Sequence, residues 1–500
     1  MLVTALAAAG MVAPRERTKA ILWVCALALA PVLLISDLSD SPQLSILHRS
    51  PLLAVAAGLV GLGVLAALAK VLSGNPKVFP YLVAVALPFR LPIAVGGETA
   101  NLLLPLYLVI GAGTLAWAVP IITGKGEEAD EKPSLLDWAI AAWLLLFGLA
   151  ALWSGDPSKA VQQAVFFYVP FALLFQLVSR VEWTAEIIRG CALILVGLAL
   201  IFSGIAFFEY GTKTLLLNPK LLISNQFHTY FRVNSVFFDP NIFGRFLMLV
   251  MIGLAATLLD TKRGKNVAAI SACLAVLMTA MVMTLSQSSF LGLLVGLAVI
   301  AALRWTPWKV GVVTVVIAAV GVAAVVVSPS SSGLKLHSLK VLNNESSGRT
   351  GLVGGGIDLF KEKPFFGWGA GDFSRAYRAQ QSAGAPAAVS ASHTTPVTVA
   401  AEQGLIGIAA YLFVLVAVLL RALQGSRMST PRTAVVAGLA ALVVHSLFYA
   451  AFFEDPITWV MFALAVALPI PLTREERRAE REAKRAEQGG GADPEPLPAT

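Results

Sequence analysis

The 500 residues are 57% hydrophobic and only 13% charged, with a mean hydropathy of +0.78. Average soluble chains carry about 25% charge, so a water-soluble fold is excluded. The formal net charge is +8, and its placement in short loops accounts for it without a nucleic-acid partner.

The first dozen residues, MLVTALAAAGMV, are apolar but too short to span a bilayer. They lack a basic leader, and RERTK follows where a cleavage site would be expected, so the first membrane helix is predicted to be retained. Hydropathy then predicts spans at 20–36, 51–72, 78–95, 101–122, 134–153, 160–178 and 187–208. A second set follows at 241–259, 267–285, 288–303, 309–328, 396–420, 433–452 and 456–472. The signal is weakest at 78–95 and 288–303, and re-entrant or interfacial segments would reduce fourteen spans to twelve. The expected fold is therefore all-α: a polytopic transmembrane helix bundle of 12–14 spans.

Three short loops are basic: Arg15, Arg17 and Lys19; Lys262, Arg263 and Lys265; Arg421, Arg427 and Arg432. The short loops between them hold little more than Arg49 and Lys159. Lys and Arg accumulate on the cytoplasmic side, so both termini are expected inside. Two long segments, 209–240 and 329–395, then face outward, and loops of that length are commonly functional. The second contains helix-forming stretches at 349–361 and 371–381, which predict a small helical cap on the outer surface. The chain divides into a transmembrane core over 1–395, C-terminal helices over 396–472, and a charged tail over 473–500. The tail opens with a capping box, Thr473 to Glu476, and ends in a Gly- and Pro-rich stretch expected to be disordered. Cys25, Cys191 and Cys273 are far apart in apolar runs and form neither a CxxC metal motif nor a disulfide framework.

Ionisable groups at membrane depth are costly and tend to face a cavity or a partner. Arg90 lies between Pro88 and Pro92, which points to unwound backbone lining a cavity. Arg245 stands about one turn inside the membrane and is expected to snorkel to lipid phosphates. His445 is expected to make a helix–helix hydrogen bond. Arg232 is crowded by Asn225, His228, Tyr230, Asn234, Asp239 and Asn241, a polar concentration that favours a binding role.

In the second long loop, Arg349 and His393 carry chemistry of a complementary kind. Guanidinium binds phosphate oxygens bidentately and stays charged. Placed at a leaving diphosphate, it stabilises the charge that grows in the transition state. A neutral imidazole, with an unperturbed pKa of about 6.5, accepts a proton from an attacking hydroxyl. SHTTP is also a plain helix start, with Thr394 or Thr395 as N-cap and Pro396 behind it.

These elements resemble the O-antigen ligase and O-antigen polymerase superfamily of bacterial membrane glycosyltransferases. The resemblance rests on Arg349 in GRTGLVGGGIDLF, the turn PFFGWGAG at 364–371, and His393 with ten residues between it and Gly404, with Gly407 closing GLIG. FRVNSVFFDPNIFGRF at 231–246 is similar to the family's earlier arginine-plus-asparagine element. Many members carry Thr-x-Ser-Arg where this chain reads Thr284-Leu285-Ser286-Gln287.

The resemblance implies that a glycan passes from a polyprenyl-diphosphate carrier to an acceptor hydroxyl on the extracytoplasmic face of the bacterial cell membrane. His393 would act as base, Arg349 and Arg232 as the diphosphate clamp, and Asp239, Asn241, Tyr230 and Arg90 as further substrate contacts. No metal and no cofactor are expected. The acceptor, whether glycan, lipid or protein, stays open, and with it ligase against polymerase. Two rivals remain: a lipid-monophosphate transferase using Asp37 and Asp40, and a lipid-linked oligosaccharide transporter or flippase.

Overall fold

The computed structural model describes residues 1–37, 51–89, 91–95, 98–126, 132–216, 225, 230–305, 308, 311, 349–381 and 391–471. The first half of the chain forms α1 (Leu2–Val12), α2 (Glu16–Asp37), α3 (Pro51–Gly74) and α4 (Val78–Ala86). An antiparallel hairpin follows, β1 (Leu91–Val95) and β2 (Glu98–Leu102), with Leu91 opposite Leu102. Then come α5 (Leu104–Ile122), α6 (Leu135–Ala150), α7 (Pro157–Ser179) and α8 (Ala185–Thr212). The second half comprises α9 (Pro240–Asp260), α10 (Gly264–Thr284), α11 (Gln287–Arg304), α12 (Arg349–Glu362) and α13 (Phe373–Gln380). It closes with α14 (Thr395–Leu423), α15 (Thr430–Ser446) and α16 (Pro456–Ala467).

Among the described residues, 7 helices are long and apolar enough to cross a membrane: α5, α7, α8, α9, α10, α11 and α14. Shorter apolar helices, including α1, α6 and α16, pack among them. The molecule is a polytopic helical bundle, as hydropathy predicts. One predicted span needs correction. The segment 78–95 is not one helix, because α4 stops at Ala86 and the chain enters the hairpin. Pro88 and Pro92 lack the N–H that a helix ladder requires, and Pro92 is tolerated in a two-stranded edge. The predicted span 433–452 also ends early, at Ser446. The predicted span 309–328 (apart from Gly311) and the tail with Thr473 and Glu476 lie outside the described residues.

Helix α1, too short to span, is packed inside the bundle against α2 and α6, with Val3, Ala7 and Met11 buried. The aromatic centre gathers around Phe453, on the non-helical segment between α15 and α16. Trp143 of α6 stacks on it at 4.4 Å between ring centroids, and Tyr411 of α14 meets it edge-on at 5.8 Å. Such pairs add about 0.5–1.5 kcal/mol each beyond simple burial. Helices α11 and α15 approach closely because Gly292 and Gly296 offer no side chain. A Cβ at those positions would stand 3.2 Å from Ala441 O and 3.4 Å from Ala437 O.

Three helices open on the same dipeptide, and each aspartate caps its own helix. Asp156 accepts from Lys159 N at 3.1 Å, Asp239 from Asn241 N at 2.6 Å, and Asp455 from Ile457 N at 2.9 Å. Tyr449 hydroxyl reaches Asp239 at 3.3 Å and Gln163 reaches Glu454 at 3.0 Å, so these starts share one rim of the bundle. The other end of α9 forms a second rim, where Asp260 pairs with Arg304 at 3.1 Å and bonds Thr430. There Arg432, 1% exposed, donates to the carbonyls of Gln424, Leu468, Arg421 and Ala465. The 21 residues of α9 between the rims measure about 30 Å at 1.5 Å per residue, the thickness of a bilayer's hydrocarbon core.

Candidate functional site

His393 sits on the first rim, immediately before Thr394, the N-cap position of α14. It is half-buried and holds a left-handed backbone, φ 62°. Few non-glycine residues adopt that conformation, though histidine is among the enriched ones. The turn is fixed from both sides. Ser392 Oγ donates to Thr394 O at 2.8 Å and lies 2.9 Å from Thr398 Oγ1, which also accepts from Ser392 N. Lys213, Ser235 and Leu285 share this left-handed conformation, and at His393 the surrounding bonds hold it in place.

The PFFGWGAG turn docks into a break in α14. Gly404 has φ 63° and ψ −157°, which opens the helix after Gln403. Helix carbonyls freed there accept from the turn: Ala401 O from Trp368 N at 3.0 Å and Glu402 O from Gly369 N at 2.8 Å. Leu405 N returns a bond to Pro364 O at 2.8 Å. The buried Glu402 carboxylate completes the joint by accepting from Gly371 N at 3.0 Å and Phe373 N at 3.3 Å. Ser154 Oγ donates to Ala370 O at 2.8 Å, so the end of α6 is tied in as well. A Cβ on Gly404 would collide with the Phe365 carbonyl, and the backbone region is essentially reserved for glycine. Gly404→Ala is therefore expected to cost about 1–3 kcal/mol. This is read as a lower thermal-unfolding midpoint in detergent, and an unchanged midpoint would contradict the docking described here.

Helix α12 runs from Arg349 to a close contact with the His393 turn. A Cβ on Gly356 would meet Phe373 and Ser392 as well as Val397. Seven residues separate Arg349 from Gly356, about 10 Å along the axis. The position of Arg349 on the helix is described; its side chain is not.

A second polar cluster stands on the same rim. Arg232 Nε donates to Thr284 O at 2.9 Å, and Nη2 reaches Asn241 Oδ1 at 3.5 Å. Asn241 Oδ1 also accepts from Ser286 Oγ at 2.9 Å. Asn225 holds the backbone of Arg232 through both its amide atoms, at 3.0 and 3.2 Å. Thr284 and Ser286, singled out by the resemblance, thus belong to this cluster. Tyr230 is exposed beside it, and Asp239 is engaged as the α9 cap and by Tyr449. Arg90 and His228 lie outside the described residues.

Arg245 does not snorkel. It is 2% exposed and forms an ion pair with Asp455, itself 1% exposed. Burial leaves a guanidinium inside a bundle no cheaper option than a carboxylate partner. His445 Nε2 lies 3.2 Å from Ser288 Oγ, joining α15 to α11.

Residues 449–455 connect the two clusters. Tyr449 bonds Asp239 on one side. On the other, residues 450–454 wall a cavity of about 200 Å³ that Ala391 and Thr395, two residues either side of His393, also line. Sequence reasoning missed Glu209, Glu402, Glu454 and Asp455. Glu209, fully buried, accepts from Asn234 N and Ser235 N and so shapes the turn after Arg232. Their signal was available: each is an acidic residue in or beside an apolar run.

Residues 268–412 match the family described as O-antigen ligase. The match takes in Thr284, Ser286, Arg349, His393, Glu402 and Gly404, and leaves the Arg232 element just outside. No curated protein matches the chain. The chain is thus a helical membrane bundle that, over residues 268–412, is similar to the O-antigen ligase family, and its first rim carries that segment's polar turns.

Proposed function

We propose that the protein transfers a glycan from a polyprenyl-diphosphate carrier to an acceptor hydroxyl on the extracytoplasmic face of the bacterial inner membrane. The observation that carries this reading is His393, held in a left-handed turn between two residues that line a polar cavity. Orientation follows from charge. The rim bearing Arg304, Arg421, Arg427 and Arg432 is basic and would lie inside. The His393 rim then faces outward and the end of α16, where Leu468 O accepts from Arg432, faces inward. The expectation of an N-terminus inside is not met, since Met1 packs beside Gly148, two residues from Ala150, whose carbonyl accepts from Ala370 N on the His393 rim.

In the reaction, His393 takes the proton of the acceptor hydroxyl as its oxygen bonds to the anomeric carbon. The bond from that carbon to the diphosphate oxygen breaks, and the electron pair leaves with the polyprenyl diphosphate. Arg349 and Arg232 hold the departing charge, a task their planar forks fit. Arg232 is already oriented by Thr284 O and Asn241, with Tyr230 and Asp239 flanking it. The arginines take the neutralising role that a divalent ion would otherwise fill, so transfer proceeds with chelator present.

A polymerase would run the same chemistry with the next lipid-linked repeat as acceptor. A transporter or flippase would bind the same lipid-linked glycan and break no bond. The test is purified full-length protein in detergent with EDTA, a polyprenyl-diphosphate oligosaccharide, and a panel of acceptors that includes the donor itself. Free polyprenyl diphosphate and a glycosylated acceptor are expected, and the productive acceptor separates ligase from polymerase. A folded, donor-binding protein that releases nothing would instead be a transporter.

A further inference from the structure

The cavity beside the His393 turn is closed by Trp143 and Tyr168 on its apolar side and by Thr395, Glu402, Gln403 and Glu454 on its polar side. Its hydrogen bonding is incomplete. Among the described residues, Gln163 Oε1, Thr395 Oγ1 and Gln403 Oε1 have no partner. Thr395 and Gln403 are 8% and 5% exposed, so bulk water does not compensate them. Buried polar atoms are normally satisfied, and each that is not costs free energy. Three orphans on one cavity therefore mark a site shaped for something that brings its own hydroxyls. The donor–acceptor pattern agrees. Two amide oxygens and the Glu454 carboxylate accept, the Lys159 ammonium donates, the Thr395 hydroxyl does either, and Gln163 Nε2 is already committed to Glu454 at 3.0 Å. A liquid water occupies about 30 Å³, so about 200 Å³ matches a small water cluster or one pyranose ring.

We infer that this cavity seats one sugar ring of the substrate, its hydroxyls held by Thr395, Gln403 and Gln163, beside His393. The inference rests on the transferase reading and adds to it where the reacting glycan is gripped. The ring belongs either to the carrier-linked donor or to the acceptor; the hydroxyl chemistry is common to both, and kinetics separate them.

The experiment uses full-length Thr395→Val and Gln403→Met, both close to isosteric, with Gln163→Met as a third variant should Gln403→Met fold poorly. Donor and acceptor are varied in turn. The KM of one substrate is expected to rise about tenfold, a loss of about 1.4 kcal/mol. The other KM should hold, and kcat should change less than threefold. The substrate whose KM rises is the one seated in the cavity. Unchanged KM values for both substrates would overturn the inference. So would a fall in kcat alone, which would mean that the variants only disturb the His393 turn. If the wild type transfers nothing, the cavity is tested separately by calorimetric binding of the oligosaccharide freed from its carrier by mild acid. Binding weakened about tenfold in the variants supports the site; equal binding, or none, leaves it a water pocket and overturns it.

Discussion

Replacing His393 with asparagine is expected to slow glycan transfer by roughly 10²–10⁴-fold, the usual worth of a positioned general base. Asparagine is the informative substitution because it tolerates the left-handed backbone that His393 occupies, φ 62°. An alanine there would add backbone strain to the loss of the imidazole and blur the result. With Ser392, Thr394 and Thr398 still bonded to one another, the turn and the start of α14 should keep their shape. Donor binding and the unfolding midpoint should then match the wild type while turnover collapses. His393→Ala should be equally slow and slightly less stable. Transfer within about tenfold of wild type in the asparagine variant would assign the proton to another group.

The second large effect is on stability. Arg245→Met alone leaves the Asp455 carboxylate buried without its partner, and truncating one member of a buried ion pair costs about 3–5 kcal/mol. The mirror case, Asp455→Asn, keeps an oxygen to cap Ile457 N but strands the guanidinium. The double variant carries neither charge and should recover most of the loss, since apolar replacement of a whole buried pair is often neutral. Unfolding midpoints of the four proteins in one detergent form a double-mutant cycle; additive losses would mean that the pair is not coupled. The site should feel the single changes too. The Arg245 guanidinium lies 5.6 Å from the Tyr449 ring, and Tyr449 begins the segment that walls the cavity.

What the sequence made legible follows from the range of each interaction. Long apolar runs announce spans by themselves, and α8, α9, α10 and α14 lie close to their predicted limits. Asp-Pro pairs announce helix starts, because both residues act within one turn. The hairpin at 91–102 was hidden, since LPIAV is as apolar as a helix and only Pro92 objects. Arg245 was misread because its partner is 210 residues away (455 − 245), and hydropathy carries no pairing information. Glu402 was passed over for the same reason: its acceptors' work is done on Gly371 and Phe373, across a turn whose docking depends on three-dimensional closure. The motif residues stood out individually. That Gly404 breaks a helix to receive PFFGWGAG is visible only once both are folded.

The proposed reaction is one displacement at the anomeric carbon, with a hydroxyl activated by His393 arriving as the diphosphate departs. The configuration of the product linkage measures this most directly. Donor of defined anomeric configuration would be turned over with EDTA present, and the new linkage read by NMR from its one-bond carbon–proton coupling. Inversion is the predicted result. Retention would contradict the proposed single displacement, because it requires a second displacement and a glycosylated intermediate for which His393 as a base has no role.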